Sequence, residues 1–121
     1  MKHLLAALSM LALALPVAAQ QPETANASGA VLRGLDTFNG HVTDMNVAAG
    51  QSVQFGRLNI VLRECRYPAG NPAGDAYASL EISQQGREGV IFSGWMIASA
   101  PALSAMEHPR YDVWVLRCTT E

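Results

Sequence analysis

Two cysteines, Cys65 and Cys118, constrain the fold of this chain more than any other feature of its sequence. In an exported protein an even number of cysteines predicts a disulfide, whereas redox or metal-binding thiol pairs favour close spacings such as C-x-x-C. A bond that closes a loop of this size is expected to stabilise the fold by about 4 kcal/mol. It also requires Cα atoms roughly 4.4–6.8 Å apart, so the strand ends that carry the cysteines must be neighbours.

The N-terminus predicts export. Residues 1–19 combine a positive charge at Lys2, an apolar run over 4–15 and the sequence Pro-Val-Ala-Ala, which is typical of a signal peptide cleaved after Ala19. The apolar run is shorter than the roughly 20 residues that cross a bilayer, and no second run follows it. We therefore expect a periplasmic protein with no membrane span after cleavage.

Composition limits the partners of the remaining chain. Residues 20–121 carry seven arginines and no lysine against ten acidic residues, which leaves a formal charge of −3. Because the sequence has no basic stripe, we expect no nucleic acid as a partner. Residues 20–29 are small and polar and predict a flexible lead. A single β-rich domain is expected over residues 30–121.

Alternation of apolar and polar residues predicts β-strands along most of this domain. In the segment 58–66, Leu58, Ile60 and Leu62 occupy one face, with Val61 and Cys65 assigned to the other. About six or seven such strands, separated by turns rich in glycine and proline, predict an all-β, mainly antiparallel fold. The expected architecture is a small sandwich or open barrel.

One short helix is predicted near residues 100–107. Ser99 followed by Pro101 has the pattern of an N-cap and a proline in the first turn. Leu103 and Met106 would share one face of this helix, and Pro109 would end it.

Trp95, Tyr111 and Trp114 form an aromatic group near the C-terminus. Two interpretations remain open at this point. Exposed aromatic side chains are typical anchors for a partner protein, whereas buried ones would fill the core beside the disulfide. We take the three residues as candidates for partner binding.

Catalytic and metal chemistry have few candidates. His108 with Ser104 and Asp112 raises the hypothesis of a small hydrolase, but no G-x-S-x-G motif supports it. Met106 and His108 are ligand types that suit Cu(I), which suggests a periplasmic metallochaperone, although methionine more often fills gaps in a core. His108 is otherwise expected to cap the short helix or to bond the backbone beside Pro109. We expect no catalytic residue and no cofactor.

The stretch FSGWMIASAPALSAMEHPRYDVWVLRC, residues 92–118, resembles a family of exported proteins from Gram-negative bacteria known as domain of unknown function 2155. The similarity extends back through residues 32–36, the turn at 53–56 and Cys65. Met96-Ile97 stands where a phenylalanine often follows the methionine in that family. The resemblance implies an exported protein with paired cysteines, and no activity, catalytic residue or cofactor. Our leading functional hypothesis is a non-enzymatic binding or accessory domain for another envelope protein.

Overall fold

The alternating segments form eight strands in the computed structural model of this chain, which describes residues 23–120. The predicted signal peptide and the first three residues of the predicted lead lie outside this range. No helix in residues 23–120 is long and apolar enough to cross a membrane. The strands are β1 (Thr24–Asn26), β2 (Gly29–Asp36), β3 (His41–Ala48), β4 (Ser52–Phe55), β5 (Leu58–Pro68), β6 (Tyr77–Gln84), β7 (Val90–Ile97) and β8 (Tyr111–Thr119).

Two antiparallel sheets face each other. In the first sheet, β1 and β4 pair with the same edge of β5, and β6 and β7 follow on its other side. The second sheet has the order β3-β2-β8. The prediction of an all-β, mainly antiparallel fold is confirmed. Of the two predicted architectures the molecule adopts the sandwich, with two separate sheets that do not close into a barrel.

The inward faces of the two sheets form the core. A β-bulge in β5 opposite β6, between Leu62 and Glu64, changes the side to which the following residues point. As a result Cys65 faces the core together with Leu62, and the prediction that it shares the opposite face with Val61 is wrong. The largest fully buried side chains are Leu32, Leu58, Ile60, Leu62, Leu80, Ile82, Met96, Val113 and Val115.

A disulfide between Cys65 and Cys118 joins the two sheets, as the sequence predicts. Cys65 lies on β5 and Cys118 near the end of β8, with their Cα atoms 5.8 Å apart. Both residues are buried. We call this end of the sandwich the disulfide end.

Part of the predicted lead, Thr24–Asn26, forms the strand β1 in the structure. Thr24–Asn26 pair with Arg66–Pro68 of β5, and the Arg66 Nε donates a hydrogen bond of 2.8 Å to the Thr24 hydroxyl. The Ala27 N–H donates to the Cys65 carbonyl at 2.8 Å. Main-chain bonds hold this short strand, so it needs no apolar alternation, and composition alone does not reveal it.

The predicted helix near 100–107 is a single 3₁₀ turn, Pro101–Ser104. Its N-cap is Ala100, whereas the Ser99 hydroxyl donates to the Asp75 carboxylate at 2.6 Å. Leu103 is exposed and Met106 is buried, so the two side chains do not share one face. The predicted cap and shared face are therefore wrong, because the Ser99 hydroxyl is bound to Asp75 and the turn ends at Ser104, before Met106.

Candidate functional site

Residues 98–110, here called the crossing segment, close the open side of the sandwich between β7 and β8. β7 ends at the disulfide end, where Ile97 lies opposite Tyr77, whereas β8 begins at the other end, where Tyr111 lies opposite Asp36. Because β7 and β8 run in the same direction, their connection must traverse the length of the molecule. Met106 inserts into the core on the way.

An open groove of about 400 Å³ separates the 3₁₀ turn from the first half of β8. Small side chains form one wall, and the indole of Trp114 contributes to the other. Leu103, in the same turn, is 75% exposed. A groove of this volume lies at the small end of the range for ligand sites, so it suits one or two side chains. Its lining residues are Pro101, Ala102, Ala105, Asp112, Val113 and Trp114.

Asp112 is the only ionisable residue in this lining. Within residues 23–120 its carboxylate makes no hydrogen bond and no ion pair, unlike the four carboxylates that pair with arginines. Asp112 and Trp114 are two positions apart on one strand and therefore point to the same face of the sheet, about 7 Å apart along the strand. The groove thus presents a free carboxylate next to an aromatic ring.

The neighbouring arginine on that face is already neutralised. Arg33 lies opposite Trp114 on β2, and its guanidinium donates to both carboxylate oxygens of Asp44 at 2.7 and 3.1 Å. This hydrogen bonding is the main reason why the pKa of Asp44 lies below its ordinary value of 3.8. The groove therefore has a negative local charge from Asp112 that no arginine of the described chain offsets.

Another arginine shows how this chain holds a guanidinium when a carboxylate and aromatic rings lie together. Arg110 donates to the Asp36 carboxylate at 2.9 Å through its Nη2 nitrogen. Its guanidinium lies 4.9 Å from the ring centre of Phe38 and 5.1 Å from that of Tyr111. The hydrogen bonds from Arg110 hold the pKa of Asp36 below its ordinary value.

The aromatic candidates do not form one surface. Tyr111 is only 3% exposed, since it shares the core-facing side of β8 with Val113 and Val115. Its ring packs edge-on against Phe55, with 5.6 Å between ring centres. This burial favours the alternative interpretation of Tyr111, in which its ring fills the core.

Trp95 and Trp114 lie on different sheets. Trp95 is 44% exposed on β7, opposite Ser79, and points outward from the five-stranded sheet. Trp114 is half-buried on the outward face of the three-stranded sheet. Because the outward faces of a sandwich point away from each other, only Trp114 belongs to the groove.

The ring of His108 is fully engaged in structural hydrogen bonds. Its Nδ1 accepts the N–H groups of Arg110 and Tyr111 at 3.0 and 3.1 Å, so the neutral ring carries its proton on Nε2, which donates to the Gln84 Oε1 at 2.8 Å. The predicted bond between His108 and the backbone beside Pro109 is confirmed. Neither nitrogen is free to serve Ser104 as a base or to bind copper.

Metal chemistry gains no support from the geometry. Met106 is buried in the core cluster, so its sulfur is surrounded by apolar side chains. In the part of the chain from 23 to 120, no three residues among His, Cys, Asp and Glu lie close enough together to hold a metal ion. These positions do not favour the metallochaperone and hydrolase hypotheses.

Comparison with known proteins places the chain in a family. Residues 30–118 match the bacterial family described as "Uncharacterized protein conserved in bacteria (DUF2155)". The chain belongs to this family. The matched residues include both cysteines, the crossing segment and every residue that lines the groove.

A curated relative is similar to part of this DUF2155 protein. "Uncharacterized protein RP359" of Rickettsia prowazekii (strain Madrid E) is 28% identical over 78 residues, which is 62% of this chain and 50% of the relative. The chain thus spans about half the length of the curated relative that it matches. No solved structure is significantly similar to this chain.

A second concavity in this DUF2155 chain, of about 460 Å³, lies at the disulfide end. It is lined by Ser28, Gly29, Asn46, Val47, Ala48 and Thr119. Because this lining has no aromatic and no ionisable side chain, it offers fewer anchors than the groove beside Trp114.

The sequence indicates Trp114 but not the groove. The segment ASAPALSA, residues 98–105, consists almost entirely of small residues. Small side chains opposite a tryptophan leave space beside its ring, and this is the signal that the sequence contains. The same segment also predicts a helix, because Ser99 and Pro101 resemble a helix start, and that pattern hides the signal.

Proposed function

We propose that this chain is a non-enzymatic periplasmic domain that binds another envelope protein through the groove between the 3₁₀ turn and β8. The observation that carries this proposal is the groove itself, with Trp114 in its wall and the exposed Leu103 beside it. Tryptophan is enriched among the residues that dominate binding energy, particularly where a side chain enters a recess. The predicted signal peptide and the disulfide support an oxidising, extracytoplasmic compartment.

Site-specific photo-crosslinking in intact cells of the native host tests the proposal. A photoreactive phenylalanine analogue replaces Leu103 in one strain and Gln54 in another, where Gln54 is an exposed residue on β4 of the other sheet, outside the groove lining. We expect one defined product from position 103 and none from position 54. In the position-103 strain, Trp114→Ala should lower the yield by about tenfold or more, whereas Trp95→Ala should leave it unchanged.

Three results would argue against this function. These are the absence of any product from position 103, an equal product from both positions, and a position-103 product that does not depend on Trp114. Circular dichroism of each purified variant checks that the sandwich remains folded. If Trp114→Ala loses both the crosslinked product and the fold, the crosslinking experiment is repeated with Trp114→Phe, which keeps an aromatic ring.

A further inference from the structure

The groove has the elements with which this chain holds an arginine, but it contains no arginine of its own. At the other site, the guanidinium of Arg110 bonds Asp36 and lies against the rings of Phe38 and Tyr111. In the groove, Asp112 supplies a carboxylate and Trp114 supplies a ring. Both cation–π contacts in residues 23–120 belong to Arg110, so no arginine covers the ring of Trp114 there.

Charge complementarity favours a cationic occupant. Asp112 makes no ion pair in the described chain, and Arg33, which lies opposite Trp114 on β2, is held by Asp44. The remaining lining residues are apolar or small, so a cation would meet one carboxylate and otherwise apolar walls. An ion pair that is partly shielded from water in this way is stronger than one on an open surface.

Arginine fits this arrangement better than lysine. Its planar guanidinium bonds a carboxylate through two parallel N–H groups and stacks on an aromatic face at the same time. The spacing of about 7 Å between Asp112 and Trp114 along β8 leaves room for a guanidinium to contact both. The apolar wall formed by Pro101, Ala102 and Ala105 suits the methylene stem of the arginine and a small apolar neighbour.

We infer that the groove recognises an arginine side chain, flanked by small apolar residues, in a segment of the partner protein. This inference rests on the proposed function and adds the chemistry of the partner. Asp112 fixes the guanidinium, Trp114 stacks against it, and the crossing segment encloses its stem. The specificity of the groove therefore depends on one charge, which can be removed or reversed without altering the core.

Selection from a random heptapeptide display library tests the inference on the purified, oxidised domain. The wild type should enrich peptides that contain arginine next to alanine, valine or serine. The peptide that is enriched most should bind Asp112→Asn about tenfold more weakly, because a charge-assisted hydrogen bond is lost. Asp112→Lys should instead select peptides with aspartate or glutamate, and Trp95→Ala should select the same peptides as the wild type.

Any of several results would overturn the inference while leaving the proposed function open to its own test. One is a wild-type selection that yields no peptide or shows no preference for arginine. Another is equal affinity of the selected peptide for the wild type and Asp112→Asn. Self-association that depends on Asp112, measured by sedimentation, would make a second copy of this chain the occupant. A position-103 crosslink that survives Asp112→Asn would retain the binding function and reject the arginine.

Discussion

Removal of the disulfide between Cys65 and Cys118 should strongly destabilise this domain. The bond joins β5 of one sheet to β8 of the other across a sequence separation of 53 residues. Cross-linking a loop of that length lowers the entropy of the unfolded chain by an amount equivalent to about 4 kcal/mol at 25 °C. For a domain of about 100 residues, the melting temperature should therefore fall by about 15–30 °C.

The double variant Cys65→Ala/Cys118→Ala measures this effect with the fewest side effects. Both residues are buried, so serine at either position would place a hydroxyl in the core and add about 1–3 kcal/mol if it lacked a partner. Urea unfolding, followed by circular dichroism and by tryptophan fluorescence, gives the free energy of unfolding. Reduced wild type provides the matched control, since it lacks the bond but keeps both sulfurs.

The double variant and the reduced wild type should lose similar stability and retain the β-sheet spectrum of the oxidised protein. A loss below about 1 kcal/mol would refute the loop-entropy reasoning. Two free thiols in protein purified without reductant would refute the pairing itself. Loss of all structure at 25 °C would instead mean that the remaining stability is smaller than the contribution of the bond.

Two further predictions concern the C-terminal end of β2. Gly34→Ala should lower the free energy of unfolding by about 1–3 kcal/mol, because its Cβ would lie 2.8 Å from the ring of Phe55. The control Gly94→Ala, whose Cβ would meet nothing closer than 3.7 Å, should change the free energy of unfolding by less than about 0.5 kcal/mol. Equal urea midpoints of the two variants would contradict this prediction. The pKa of Asp36 is lowered, chiefly by hydrogen bonds from Arg110. The stability that the ionised Asp36 contributes is therefore fully present above its ordinary pKa of 3.8 and is lost as the pH falls through its pKa in the folded protein. The stability difference between wild type and Asp36→Asn should therefore be constant near neutral pH and shrink below about pH 4, and a difference that grows on acidification would be inconsistent with it.

Local sequence predicts much of this fold because most strands follow a simple alternation. Leu58, Ile60 and Leu62 are fully buried on one face of β5, as their spacing indicates. The two cysteines predict that β5 and β8 are neighbours, which periodicity cannot do. Together these two signals predict an antiparallel β-fold in which the last strand is linked to β5, but they do not decide between a sandwich and an open barrel.

The register of β5 is not a property of β5 alone. The bulge between Leu62 and Glu64 depends on how this strand pairs with β6, and it moves Cys65 from the predicted face of Val61 to the core-facing side of Leu62. The short strand Thr24–Asn26 likewise depends on bonds to β5 and has no pattern of its own. Tertiary pairing decides both features, so inspection of single segments misses them.

The candidate site was predicted least well, because its parts come from a loop and a strand that have different roles. Trp114 and Tyr111 are three positions apart in the sequence, yet the parity of the strand sends one ring outward and the other into the core. The sequence suggests Asp112 only as a partner of His108, whose ring is instead engaged by Gln84 and by two backbone N–H groups. The groove arises only when the crossing segment passes beside β8.

β8 is fixed at both ends, and this bears on how the groove binds. At the disulfide end Cys118 is covalently attached to β5. At the other end the Tyr111 N–H donates to His108, and the Tyr111 hydroxyl accepts the N–H of Arg57 at 3.3 Å. Asp112 and Trp114 lie on the strand between these anchors, so their backbone does not need to become ordered when a partner binds. Ordering an interface costs free energy and so opposes association. Because β8 is already held in place, more of the contact energy contributes to affinity, and a groove of about 400 Å³ can then suffice for recognition.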